Sequence, residues 1–397
     1  MKMKIISVVG ARPNFMKVAP FCRALKKCRG VKHVLVHTGQ HYDVRMSAQF
    51  FKELGIPSPD VNLGIGSGSH AEQVGRTMIE FEKVLKKEKP DWVVVLGDVN
   101  ATCACSVTAK KEHVKVAHIE AGLRSGDIDM PEEVNRLVTD RLSDLLLTPD
   151  RISNENLRKE GVPAKKIKFV GNLMIDTLER ERAKAARLDV NEILRENLID
   201  EVEKRGGGGR RNVDNSIVQP STSNLQPDSY VVLTMHRPSN VDKKEVLKPL
   251  VDFIVDEVAA ELPVVWAIHP RARKRLEEFG LWKKVVGCKN MILVEPLGYH
   301  AMLRLNMGAK LMMTDSGGLQ EECCVLGTPC LTLRWNTERP ITLAEHGGAS
   351  TLVGNNIRRI RAAFRKEMKA KRRPMRPEKW DGKTAERIVK AIVGSGK

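Results

Sequence analysis

Two Rossmann-like α/β domains are expected from this chain for three reasons. Its 397 residues exceed the ~250–300 at which a single hydrophobic core usually stops growing. Short β-branched runs alternate with amphipathic stretches along nearly the whole chain, the pattern of βαβ units around parallel sheets. Residues able to do chemistry collect at the ends of those runs, where open α/β sheets hold their ligands.

The runs are KIISVVG, HVLVHTG, DWVVVLGD and KVAHIEAG in the first part, then YVVLTMH, VVWAIH, MILVEP, AKLMMTD and PCLTLR in the second. Helical stretches fill the gaps. PEEVNRLVTDRLSDLLLTP is expected to place Val134, Leu137, Val138, Leu142, Leu145 and Leu146 on one apolar face, with Pro131 in the first turn. The expected boundaries are a first domain over 1–172, a second over 173–372, and a tail over 373–397. In the tail, Trp380 and the pattern Ala385, Ile388, Val389 and Ile392 predict a C-terminal helix returning to the first domain. Residues 206–226 hold four consecutive glycines followed by Ser, Asn, Pro and Gln. Such a segment buries too little apolar surface to order itself, so a disordered insertion in the second domain is expected.

Composition narrows the function classes. The chain has 67 Lys plus Arg against 49 Asp plus Glu, a formal charge of +18, which favours anionic ligands. Many of the cations lie in the tail and on helix surfaces, and only 3 Tyr and 9 Phe are present to stack on bases. A solvated basic surface is therefore expected rather than a nucleic-acid platform. The 8 cysteines form no CxxC pair and have no histidines at zinc spacing, so they read as reduced core thiols with no metal. MKMKIISVVG is a strand entering a loop, not a signal peptide, and no apolar run approaches the ~18 residues of a membrane span. A cytoplasmic location without a membrane partner is the expectation.

The chemistry-bearing segments follow the strands. GARPNFMK comes after the first strand and supplies Arg12 and Lys17; it lacks GxGxxG, so no nicotinamide cofactor is expected, and cations near a helix start suggest a phosphate clamp. LGDVNAT places Asp98, and HIEAGLRSGD places Glu120, at equivalent ends of neighbouring strands. Glu132, in MPEEVNR, falls in the first turn of the next helix, a position the helix dipole favours for any acid. TMHRPSN contributes His236 and Arg237. DSGGLQEE follows the strand KLMMT and opens a helix, so Asp315, Ser316, Gly317 and Gly318 would let phosphate oxygens reach free backbone N–H groups. Glu322, about one turn farther on, could reach ribose hydroxyls, and Arg339 in NTERP is a further anion contact. His269 and His346 read as structural.

GARPNFMK, HTGQHYD, LGDVNAT, HIEAGLRSGD, MPEEVNR, HRPSN, IHP, EPLGY, TDSGGLQEE and NTERP occur in this order. As a set they resemble the non-hydrolysing UDP-N-acetylglucosamine 2-epimerase family, over roughly residues 4–355 apart from the Gly-rich insertion. The resemblance implies a glycosyltransferase-B-like architecture with two domains facing a cleft, a homodimer, a UDP-sugar substrate, and neither metal nor cofactor. It also implies that Arg12, Lys17, His236, Ser316, Gly317, Gly318, Glu322 and Arg339 bind the UDP-sugar. Asp98, Glu120 and Glu132 are implied as acid/base groups, with Lys17 and His236 also at the reacting end. The chain departs from the family pattern at Ser239, Leu297, Met302 and the QHYD segment.

These residue types suit inversion at C2 of an N-acetylglucosamine unit. That carbon is not next to a carbonyl, so enolisation cannot invert it. Loss of UDP from C1 would make the C2 proton removable and give a glycal, which re-protonation and re-addition of UDP would complete. Cations and a helix N-terminus would stabilise the leaving diphosphate. Repulsion among three clustered acids would let one hold a proton while another accepts one.

Overall fold

The computed structural model describes residues 2–39, 50–199 and 225–395. The chain divides into two compact units, one of Met1–Glu181, Glu338–Ile341 and Arg376–Lys397, the other of Arg182–Thr337 and Thr342–Met375. Except for Leu225 and Gln226, the Gly-rich insertion expected at 206–226 lies outside the described residues, as does the QHYD segment. No helix of the described residues is long and apolar enough to cross a membrane.

The first unit holds a seven-stranded sheet of β1 (Met3–Val9), β2 (Val31–His37), β3 (Val61–Asn62), β4 (Trp92–Leu96), β5 (Lys115–Ile119), β6 (Leu145–Thr148) and β7 (Ile167–Phe169). Its order is β3-β2-β1-β4-β5-β6-β7, with every pair parallel. The order reverses between β1 and β4, which opens a crevice at their carboxyl ends. β4 is WVVVL with all five residues buried; such an unbroken apolar run is what a strand covered on both faces requires.

Local signals start and stop the helices. Proline in the first turn opens α1 (Arg12–Lys27), which ends on Lys26 and Lys27. A reciprocal Ser69–Glu72 capping box opens α2 (His70–Glu88). The helix α3 (Asn100–Lys111) follows β4, and α4 (Pro131–Leu142) follows β5. Ahead of the last helix, the Trp380 indole N–H donates to the Pro149 carbonyl. Asp176, on the helix Leu173–Ala186, accepts the N–H groups of Thr384 and Ala385, which fixes the start of the last helix (Thr384–Gly394), and that helix packs on α1.

The expected apolar face of α4 is not what the structure buries. The helix stops at Leu142, and Leu145–Thr148 forms strand β6 with all four residues buried. The buried side of α4 carries Glu133, Asn135, Arg136, Thr139 and Asp140, while Val134 is 43% exposed. Two physical reasons account for the difference. Three consecutive leucines carry no 3.6 period and suit an inner strand, and the polar side of α4 is turned inward because each charged group there meets a partner on the strand-end turns.

The second unit holds a six-stranded sheet of β8 (Val231–Thr234), β9 (Val264–Ala267), β10 (Met291–Val294), β11 (Leu311–Thr314), β12 (Cys330–Thr332) and β13 (Ser350–Leu352). The order is β10-β9-β8-β11-β12-β13, again all parallel, and it reverses between β8 and β11. Successive strand residues feed opposite layers: Leu233, Trp266, Leu293 and Met313 one core, Val232, Val265, Ile292 and Met312 the other. Full burial of each such side chain is worth ~1.5–3 kcal/mol. Two helices matter below, α5 (Tyr299–Gly308) and α6 (Gly317–Leu326).

Candidate functional site

In the first unit the turns after β1, β4 and β5 converge. Asn14, buried in the first turn of α1, accepts the N–H groups of Gly10 and Ala11 and donates to the Leu96 carbonyl at 3.0 Å, tying the loop after β1 to the end of β4. Beyond Leu96, Gly97 takes φ of 65°, a left-handed turn that glycine enters without a side-chain clash. Asp98 follows, and its carboxylate pairs with the Arg136 guanidinium. Asn135 donates to the Asp98 carbonyl at 2.9 Å.

Glu120 immediately follows β5, with φ of 73°. A non-glycine residue in the left-handed region stores strain on the order of 1–3 kcal/mol and persists where the surroundings over-determine it. Here they do. Its side chain is 3% exposed and pairs with Lys17, and Arg339 Nη2 lies 3.9 Å from Oε1. Gly122, two residues on, has φ of 82°, and a Cβ there would collide with the Ser153 carbonyl.

The inward face of α4 holds this arrangement. Glu133 accepts from Arg136, from the Ser125 N–H and hydroxyl at 3.0 Å, and from the Gly126 N–H. Burial alone would raise its pKa, but these N–H groups and the Arg136 charge hold it below the usual range. Burial likewise works against the Arg136 charge, and Asp98, Glu338 and Glu133 more than offset it. Glu132, partly buried, lies in the first turn of the same helix. Acids at the three expected positions therefore do not simply repel: Asp98 and Glu120 each face a buried cation.

Lys17, expected as a phosphate clamp, is 4% exposed and paired to Glu120. Arg339, read from the sequence with the second half, belongs by its contacts to the first unit, where it also pairs with Glu338. Arg12 opens α1, and its side chain lies outside those described.

In the second unit the turns after β8 and β11 meet at the point where strand order reverses. Asp315, fully buried, accepts the N–H groups of His236 and Arg237 at 2.9 and 2.8 Å and the Asn240 amide at 3.1 Å. Its other oxygen lies 2.9 Å from His236 Nδ1. Burial opposes the carboxylate's charge, yet the His236 ring and these N–H groups hold its pKa well below the usual range. The carboxylate thus fixes the His236 ring, which is 39% exposed; with Nδ1 engaged, Nε2 is the ring nitrogen left to meet a ligand.

Ser316 precedes α6 without a side-chain cap on the helix. Gly317 and Gly318 form the first turn, where uncapped N–H groups and the helix dipole favour an anion. Glu322, in the next turn, is 3% exposed. Burial pushes its pKa up to about 7, with the Tyr299 and Asn306 side chains pulling the other way.

Sequence reading placed Asp98, Glu120, His236 and the Ser316–Gly318 turn at strand ends, where the structure has them. It missed Asn14, His118, Glu133, Arg136, Asp140 and Glu338. Five of these lie inside quoted motifs, and for Glu133, Arg136 and Asp140 the available signal was charge: acids three and four residues from an arginine on one helix face.

A family model for UDP-N-acetylglucosamine 2-epimerase matches residues 23–393. The chain belongs to that family. The UDP-N-acetylglucosamine 2-epimerase of Methanocaldococcus jannaschii is 42% identical over 393 residues, covering 98% of this chain and 99% of that one. The UDP-2,3-diacetamido-2,3-dideoxy-D-glucuronate 2-epimerase of Pseudomonas aeruginosa is 36% identical over 89% of this chain and 88% of its own. Among solved structures, the M. jannaschii epimerase in complex with UDP-GlcNAc and UDP superposes with a TM-score of 0.85 at 40% identity, covering 99% of this chain and 100% of that one. The glycosyltransferase-B-like class expected from the family, two Rossmann-like α/β units, agrees with these structures.

Proposed function

We propose that this chain is a UDP-N-acetylglucosamine 2-epimerase that interconverts UDP-GlcNAc and UDP-ManNAc without releasing a free sugar. One observation in the site carries the reading: in a chain of this family, Asp98 and Glu120 lie on the turns just beyond adjoining parallel strands, each held by a buried cation, and α4, which carries Glu132, bonds to both turns. Inversion at an unactivated carbon needs a group to take a proton and a group to return one, and this set can supply both.

The C1–O bond breaks with its electron pair leaving on the β-phosphate of UDP. The C2 proton passes to a carboxylate, and the C1=C2 bond of a glycal forms. A second acid then returns a proton to the opposite face of C2, and the diphosphate oxygen adds back to C1. Carbon is neither oxidised nor reduced overall, so the route calls for no hydride carrier. His236, Ser316, Gly317, Gly318 and Glu322 are assigned to the nucleotide, with Arg12, Lys17 and Arg339 toward the diphosphate and sugar. Lys17 also keeps Glu120 in place before substrate arrives.

The test is incubation with UDP-GlcNAc in D2O followed by proton NMR. The expected result is UDP-ManNAc carrying deuterium at C2. Product that keeps its C2 hydrogen, or free N-acetylmannosamine as the main product, overturns the route. The P. aeruginosa relative favours a second reading, a diacetamido-glucuronate UDP-sugar as substrate, and parallel turnover of that compound decides between them. We also read the chain as a cytoplasmic homodimer; sedimentation of the purified protein as a monomer would remove the dimer.

A further inference from the structure

His118 and Asp140 take no part in the roles assigned above, yet both are buried beside the site, at 0% and 2% exposure. His118 lies on β5, two residues before Glu120. Its Nε2 meets the Gly97 carbonyl at 2.8 Å, and its Nδ1 meets Asp140 Oδ1 at 2.6 Å. The other oxygen of Asp140 accepts the Gly122 N–H at 2.9 Å and Arg124 Nη1 at 2.7 Å. Both ring nitrogens are thus engaged by oxygens, one on the turn after β4 and one on α4. Burial opposes the charge on Asp140, and the His118 ring and Arg124 outweigh it, holding the carboxyl below its usual range.

The places these bonds reach give the pair its importance. Gly97 immediately precedes Asp98, and Gly122 follows Glu120 by two residues, each glycine in a left-handed turn. Asp140 is on α4, one turn from Arg136, which pairs with Asp98, and two turns from Glu132. One imidazole therefore links the turn behind Asp98 to the turn carrying Glu120, and α4 references both to Glu132.

We infer that His118 and Asp140 are positioning residues for the proton transfers: they fix the spacing among Asp98, Glu120 and Glu132 without touching substrate. The inference rests on the elimination and re-addition proposed above. In that route the glycal must be re-protonated before it escapes, so a small error in the placement of the returning acid shows as leakage. A misplacement of about 1 Å costs on the order of 100-fold in a positioned reaction.

The experiment compares the wild-type enzyme with His118→Gln and Asp140→Asn. It measures kcat, KM, UDP affinity, and the ratio of free glycal plus UDP to epimerised product. The expected result for either variant is a kcat lower by about 10–100-fold, KM and UDP affinity within about 2-fold, and a leakage ratio about 10-fold higher. The ratio is a property of each active molecule, so partial unfolding does not move it. An unchanged ratio with activity falling in step with the folded fraction shows a stabilising pair only, and overturns the inference. So does unchanged kcat, or failure of both variants to yield any folded protein. If the wild-type enzyme itself leaves the C2 hydrogen unexchanged in D2O, it is the proposed reaction that fails, which the variants do not affect.

Discussion

Helices α4 and α6 each enter a sheet's carboxyl end and bury carboxylates, but they treat them in opposite ways. On α4, Glu133 and Asp140 are each met by a cation and by backbone N–H groups. On α6, Glu322 is buried against Tyr299 and Asn306 with its pKa pushed up to about 7, and the first-turn N–H groups carry no side-chain cap. On the proposed roles the difference separates two tasks: charges that keep a fixed geometry are saturated within the protein, whereas the groups proposed to receive the nucleotide are left under-satisfied.

The largest effect should come from the acids that α4 organises. Asp98→Asn or Glu120→Gln is expected to lower kcat by ~10²–10⁴ while changing UDP affinity little, because a proton-transfer group is removed and the nucleotide contacts remain. Steady-state kinetics with calorimetric UDP titration checks it. A loss of UDP binding as large as the loss of kcat would break the division between the two helices.

Next in size is Arg136→Leu, which leaves Glu133 buried and Asp98 partly buried without their cation. Removing one partner of a buried ionic network typically costs ~3–5 kcal/mol. Urea unfolding followed by near-ultraviolet circular dichroism should show that loss, and a change under 1 kcal/mol would mean that α4 is not held by its charges.

Glu322 should sharpen the contrast through pH. Its folded-state pKa of about 7 lies above the unfolded value of ~4.3, so the folded protein keeps a proton that the unfolded chain has lost. Stability is therefore unaffected below the unfolded pKa, falls as pH rises, and levels off above about 7. Glu322→Gln should remove that decline and make the ligand-free protein more stable at about pH 8, by on the order of 1–3 kcal/mol. If ribose hydroxyls donate to the ionised carboxylate, UDP should bind more tightly as pH rises through the same range in the wild type and not in the variant. A UDP affinity with the same pH profile in both would remove Glu322 from the nucleotide contacts.

His236→Ala is the mildest change at this site, a loss of ~1–3 kcal/mol in UDP affinity for one charge-assisted contact. Asp315→Asn, which disturbs the ring's orientation, should move affinity in the same direction. Calorimetry that finds both variants unchanged would rule out the contact.

Much of this molecule is legible along the chain because parallel strands are covered on both faces. WVVVL and LMMT read as strands without reference to anything distant, since short apolar runs between helical stretches suit a strand buried on both faces. The same reasoning failed at LLLT, where a preceding helical pattern ran into a strand and the apolar residues were counted as one face. Asp98 and Glu120 were legible by a positional rule, each coming just after a strand end. Arg136 and Asp140 were not, because hydrophobic periodicity assigns apolar residues to the core side, and α4 turns its polar side inward.

The sequence by itself determined the two sets of βαβ units, the strand-end acids, and the small residues that open α6, because each depends on local chain geometry and residue size. Tertiary structure alone decided which charges meet. Lys17 finds Glu120 at a separation of 103 residues, and Arg136 finds Asp98 across 38. Arg339, late in the chain, lies beside the same Glu120. Coulomb energy in a dry interior depends on distance in space and on the loss of water, neither of which is written in residue order.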